Sequence, residues 1–158
     1  MSPETEEPVR DGPYTFEQWA DLPDEDRREL VDGYLEEEEL TNATHELVVA
    51  WLIAMLHGWG APRGVVVLGS GCKYVVSPRR GRMPDVAAFL PDQRKPPRVG
   101  LQRRPPGIVI EIVSSRPRDQ RRDRVAKLTE YAAWGARWYW LVDPYRSEER
   151  RVGKECRL

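Results

Sequence analysis

The stretch Ile108 to Val113, IVIEIV, constrains this chain more than any other. A continuous apolar run of this length, rich in β-branched residues, reads as a strand at the centre of a sheet covered on both faces. Glu111 interrupts it. A carboxylate in such a strand costs several kcal/mol to desolvate unless it is paired or binds a cation, so a buried arginine or a metal ion is expected beside it.

The signals around this strand describe an α/β fold, with a mixed α+β sheet flanked by helices, in a single domain over residues 14–145. Residues 1–13, acidic and proline-bearing, read as a disordered lead. Tyr14 to Leu22 suggests a short helix carrying Phe16 and Trp19 into the core. The Asp32-Gly33 pair within Glu29 to Leu40 marks a two-stranded hairpin, the first strands of the sheet. Thr41 or Asn42 can cap a helix to about Trp59, whose run LVVAWLIAML is apolar on nearly every face and is therefore expected to be buried all round. Val65 to Leu68, Lys73 to Val76 and Val86 to Leu90 read as further strands enlarging the sheet. Pro91 to Pro106, rich in Pro and Arg, reads as a mobile surface loop. A helix from about Arg118 to Trp134 follows Pro117, with Val125, Leu128 and Ala132 on its inward stripe and Gly135 as its stop. Trp138 to Val142 is a final strand.

Composition excludes several classes. A chain of 158 residues, 40% hydrophobic and 32% charged, suits one globular domain. The apolar run Leu47 to Leu56 is about half of the roughly 20 residues that a helix needs to cross a bilayer. The acidic N-terminus has no basic region followed by an apolar stretch, so the cytoplasm is the expected compartment and no membrane partner is expected. Cys72 and Cys156 form no CxxC spacing, which leaves metal chemistry to oxygen ligands. The net charge of −1 hides an asymmetry: residues 1–46 hold 16 acidic and 3 basic side chains, the rest 10 and 22. Arginines gather between Arg94 and Arg124, where they either hold phosphates or simply solvate the surface.

A second carboxylate, Asp85, opens a strand directly after Pro84. Two acids on adjacent strand ends can bridge one or two hard divalent cations through oxygen, the ligand type magnesium prefers. Other motifs are weaker. Gly69 to Lys73 lacks the GxxxxGK[ST] spacing of a phosphate loop and precedes a strand, so it reads as a turn. Ser114-Ser115 has no nucleophile elbow around it. The aromatic cluster Trp134, Trp138, Tyr139 and Trp140 reads as core packing of a helix end against a strand.

Three blocks, GRMPDVAAFL, PPGIVIEIVSS and DRVAKLTEYAAWGARWYWLVDP, resemble the Uma-two family of restriction-endonuclease-like proteins, a branch of the PD-(D/E)XK nuclease superfamily. The resemblance spans roughly Tyr14 to Pro144. It implies a restriction-endonuclease-like core in which Asp85, Glu111 and the backbone carbonyl of Ile112 bind Mg2+, with Mn2+ as a substitute. Ser114 completes the E-x-x-S pattern. The superfamily's lysine, two residues beyond the acid, is replaced here by Val113; the family instead offers one from the next helix in a D-x-x-x-K-x-x-x-Y pattern, met by Asp123, Lys127 and Tyr131. Spacings of four set these three on one helix face. The segment from Ser114 to Asp123 is slightly longer than the family's pattern. Glu29 and His45 stand where the family has similar residues; at a helix N-terminus the charged form of His45 is disfavoured, which suits a neutral ligand or hydrogen-bonding role.

The implied activity is that of a Mg-dependent endonuclease, a hydrolase of phosphodiester bonds with Asp85, Glu111 and Lys127 as catalytic residues and DNA as the expected partner. Arg116, Arg118, Arg121 and Arg122 are the expected phosphate contacts, and a homodimer is the assembly to look for. The alternative is a catalytically inactive nuclease-fold module that binds nucleic acid or a protein partner. Residues 146–158 are expected to be a non-native tail, because RSEERRVGKEC resembles a conceptual translation of a sequencing-library adapter.

Overall fold

A computed structural model describes residues 12–38, 41–114, 120–145 and 150–152 of the chain. Helix α1 spans Phe16–Ala20, started by a capping box in which the Thr15 hydroxyl accepts from the Gln18 N–H and the Gln18 amide oxygen accepts from the Thr15 N–H. Strands β1 (Glu29–Val31) and β2 (Tyr34–Glu36) form the expected hairpin. Its turn places Asp32 and Gly33 at φ 54° and 85°, the left-handed pair that an Asp-Gly dipeptide favours. Helix α2 runs from Ala43 to Gly60, with Asn42 as its cap accepting from the His45 N–H at 3.0 Å. A short 3-10 turn, Ala61–Arg63, leads to β3 (Val66–Leu68), β4 (Tyr74–Ser77), β5 (Arg80–Arg82), β6 (Val86–Phe89) and β7 (Ile108–Ile112). Helix α3 (Gln120–Trp134), β8 (Trp138–Val142) and β9 (Arg150–Val152) follow.

The expected mixed sheet has the order β3-β6-β7-β8-β9, with β7 in its middle and parallel to β8 across the α3 crossover. The early hairpin does not join it. It pairs with β5 and β4 in a separate antiparallel sheet, β2-β1-β5-β4. Strand β5, RGR, carries no apolar alternation and has no strand signal in the sequence. It is held because Gly81 sits under the buried Trp19 ring: a Cβ at that position would lie 2.5 Å from the indole.

Side chains alternate across the central sheet with the period of two that a strand imposes. Val86, Ala88, Ile108, Ile110 and Ile112 face α2 and pack on Val49, Leu52 and Leu56. Ala87, Phe89 and Val109 face the other way, onto Tyr74, Val76, Tyr131 and Tyr139. Glu111 shares the parity of Val109 and so looks toward α3.

Three expectations from the sequence are corrected. First, α2 is buried on one face only: Leu47, Trp51, Met55 and Trp59 are exposed, because the sheet covers a single stripe of the helix. Second, on α3 both Val125 and Ala132 are exposed, and the inward residues are Leu128, Tyr131 and Trp134 with Lys127 beside them. Third, the segment from Pro91 to Pro106 is anchored: the Gln102 N–H donates to the Lys73 carbonyl and the Val75 N–H to the Gln102 carbonyl, both at 2.9 Å, and Gln102 is buried. The aromatic cluster divides, with Tyr139 buried, Trp134 and Trp140 packed against the two core clusters, and Trp138 exposed. Strand β9 falls within residues 146–158 and pairs antiparallel with β8. Among the described residues no helix is long and apolar enough to cross a membrane.

Because Gly81 leaves no room for a side chain beneath Trp19, Gly81→Ala is expected to lower stability by about 1–3 kcal/mol. A urea denaturation midpoint equal to that of the wild type would contradict this seating of the indole.

Candidate active site

The register Val86↔Ile110 between β6 and β7, continued by one residue, sets Asp85 opposite Glu111. Asp85 is fixed there by the backbone of the adjacent strand: its Oδ2 accepts from the Ile112 N–H at 2.8 Å. Its Oδ1 lies 3.3 Å from His45 Nε2, at the N-terminal turn of α2. Strand β7 therefore delivers Glu111 and the Ile112 backbone at its carboxyl end, where crossover connections of parallel strands leave a crevice.

Helix α3 closes the other side. Lys127 Nζ stands 3.7 Å from Glu111 Oε1, 3.6 Å from Glu29 Oε2 and 3.6 Å from Glu38 Oε1. One turn on, the Tyr131 hydroxyl, fully buried, donates to Glu111 Oε1 at 2.9 Å. The spacing of four between Lys127 and Tyr131 thus aims both at one carboxylate, as the helical repeat requires. The partner of Glu111 is a lysine and a tyrosine, not the buried arginine that its strand position also allowed.

The arginine serves Glu29 instead. Arg82 Nη1 donates to Glu29 Oε2 at 2.7 Å, while its Nε and Nη2 grip both oxygens of Glu130 on α3 at 2.8 and 2.9 Å. The other oxygen of Glu29 accepts the Met83 N–H at 2.9 Å. This fork geometry satisfies a buried guanidinium in a way that an ammonium cannot. Arg82 thereby ties the second sheet to α3 and holds Glu29 against Lys127.

Electrostatics follow from this packing. Burial pushes the Glu111 carboxyl well above the usual range; Lys127 opposes the shift, and the charges of Asp85 and Glu29 add to it. Burial acts the same way on Glu29, but Lys127 and Arg82 outweigh it and the carboxyl is held low. Glu38 is raised by burial and by the neighbouring Glu29 charge. For His45, hydrogen bonding to Asp85 raises the pKa against the effect of burial, and Glu46 at 3.3 Å adds to the rise.

Of the residues named from the sequence, Asp85, Glu111, Lys127, Tyr131, Glu29 and His45 meet in this one cluster. Ser114 is half-buried just beyond the end of β7. Asp123, Arg121 and Arg122 lie on the first turn of α3, where the side chains are not among those described, and Arg116 and Arg118 fall outside the described residues. Sequence reasoning missed Glu38, Arg82 and Glu130. Arg82 stands within the block GRMPDVAAFL, three residues before Asp85, and that proximity in sequence was the available signal.

Among the described residues no three His, Cys, Asp or Glu side chains form a ready-made metal cage. The donors suited to a hard cation are the carboxylates of Asp85 and Glu111 with the Ile112 carbonyl, a partial oxygen shell of the kind that magnesium completes with water. The desolvated Glu111 carboxyl facing the charge of Asp85 is an excess of negative potential that a divalent cation would relieve, so the residues fit such an ion.

The fold around this arrangement is of the nuclease type. The family described as "Uma2: Putative restriction endonuclease" matches residues 13–152, and the chain belongs to that family. A crystal structure of a putative nuclease belonging to DUF820 from Anabaena variabilis is similar in fold, with a TM-score of 0.68 and 19% sequence identity over 89% of this chain and 83% of that one. No curated protein matches the chain.

Removing the cation that forks Glu29 and Glu130 leaves a buried carboxylate short of a partner. Arg82→Met is therefore expected to cost about 3–5 kcal/mol, and adding Glu29→Gln to the same chain should recover part of the loss. Denaturant titration of the two variants tests this; equal stability of wild type and Arg82→Met would remove the network from the account.

Proposed function

We propose that this protein is a metal-dependent endonuclease that hydrolyses phosphodiester bonds of nucleic acid, with DNA as its substrate. The observation that carries the reading is the convergence of Asp85, Glu111 and Lys127 at the carboxyl end of β7. Asp85, Glu111 and the Ile112 carbonyl would hold Mg2+, or Mn2+ in its place. When bound, such an ion supplies Lewis acidity toward the phosphate and lowers the pKa of a coordinated water.

The side chains divide the remaining work. Lys127 serves as a positive point charge that stabilises the negative charge developing on the phosphate. Tyr131, by donating to Glu111 Oε1, fixes the rotamer in which the other oxygen is free to ligate. His45 and the Ile112 N–H orient Asp85 in the same manner. Glu29 and Arg82 keep the Lys127 ammonium on the sheet side of α3. Arg116, Arg118, Arg121 and Arg122, on the chain between β7 and the body of α3, are proposed to neutralise substrate phosphates. The cytoplasm is the proposed compartment.

The test is nicking of supercoiled DNA by the purified chain. Activity is expected with magnesium or manganese and is expected to vanish with chelator. Asp85→Ala and Glu111→Ala should each abolish it with the circular dichroism spectrum retained, and Lys127→Ala should reduce it by about two to three orders of magnitude. A wild type that cuts neither DNA nor RNA with either metal contradicts the reading. If it also binds neither metal yet binds DNA in a salt-dependent manner, the chain is a silent nucleic-acid-binding module.

A further inference from the structure

Helix α2 carries a face that none of the other described elements covers. Leu47, Trp51, Met55 and Trp59 recur every four residues and are exposed by 71%, 61%, 43% and 49%. Single exposed apolar residues are ordinary, but four large ones aligned along one helix, two of them tryptophan, are not. Beside this row runs a second one of the same spacing, Ala50, Ala54 and Gly58, also exposed. A side chain at Gly58 would meet nothing within 4 Å. The surface is thus a ridge of large residues next to a furrow of small ones, both inclined along the four-residue rows of the helix.

Two such surfaces fit each other. When the four-residue ridges of one helix enter the four-residue grooves of another, the axes cross at about −50°, the commonest helix packing in globular proteins. A twofold axis near the middle of α2 lets the ridge of each copy fill the furrow of its partner, which is the self-complementarity that an isologous contact demands. Charge is sparse: from Ala43 to Gly60 the only acidic or basic residues are Glu46, which heads the furrow at the amino end of the helix, and the two histidines, of which His45 is turned inward. Interface centres are depleted of charge in the same way.

The area suffices. A full Trp side chain offers roughly 150–250 Å² and Leu and Met somewhat less, so the exposed portions of these four residues come to on the order of 500 Å² per copy. Two copies would bury on the order of 1,000 Å², the lower bound of a specific interface, before the flanking alanines are added.

We infer that the Leu47-Trp51-Met55-Trp59 face of α2 is the docking surface for a second copy of this chain, forming a twofold dimer. Such a dimer would form whether or not the chain cleaves nucleic acid. Sedimentation velocity of the full chain should show a dimer at micromolar concentration. Trp51→Glu, on the ridge, and Ala54→Glu, in the furrow, should each weaken the dimer at least about tenfold while the far-ultraviolet spectrum and the melting of the monomer are kept. A wild type that stays monomeric up to about 100 μM overturns the inference. So does a dimer whose dissociation constant is unchanged by both substitutions.

Discussion

Lys127 stands within 3.7 Å of Glu111 and 3.6 Å of Glu29, so one ammonium joins the central sheet, the hairpin and α3. A carboxylate at the centre of the most apolar strand is tolerated because α3 brings Lys127 and the Tyr131 hydroxyl to it. That arrangement in turn requires the second sheet, since Glu29 of β1 and Arg82 of β5 complete the charge balance around Lys127 and lock Glu130 of α3. Sheet, helix and hairpin therefore meet at charged groups whose burial would each be unfavourable alone.

The same logic orders the two faces of the central sheet. The α2 face is entirely apolar and is sealed by Val49, Leu52 and Leu56. The α3 face is apolar toward the amino end of β7, where Val109 packs on Tyr131 and Tyr139, and becomes ionic at its carboxyl end. The described charged groups around Glu111 gather at the end where the apolar packing stops. His45 reaches Asp85 from the α2 side because it sits in the first turn of that helix, at the sheet's rim.

Much of this was legible in the sequence where one local rule decides the outcome. Asp32-Gly33 specifies its turn, Asn42 its cap, and the run around Glu111 its central strand. The pairing of Lys127 with Tyr131 follows from a spacing of four. What the sequence withheld depends on tertiary contact. Strand β5 has no apolar pattern, and its existence rests on Gly81 fitting beneath Trp19. Glu38, Arg82 and Glu130 look like solvated surface charges until the second sheet folds against α3. The exposure of half of α2 was hidden because hydrophobicity on every face of a helix reads the same whether the outer face is covered or not.

A divalent ion is expected to bind between Asp85 and Glu111. Crystals of the protein soaked in manganese should show an anomalous scattering peak within coordination distance of the Asp85 and Glu111 carboxylates and the Ile112 carbonyl. A peak elsewhere on the molecule, or none at saturating manganese, would contradict it.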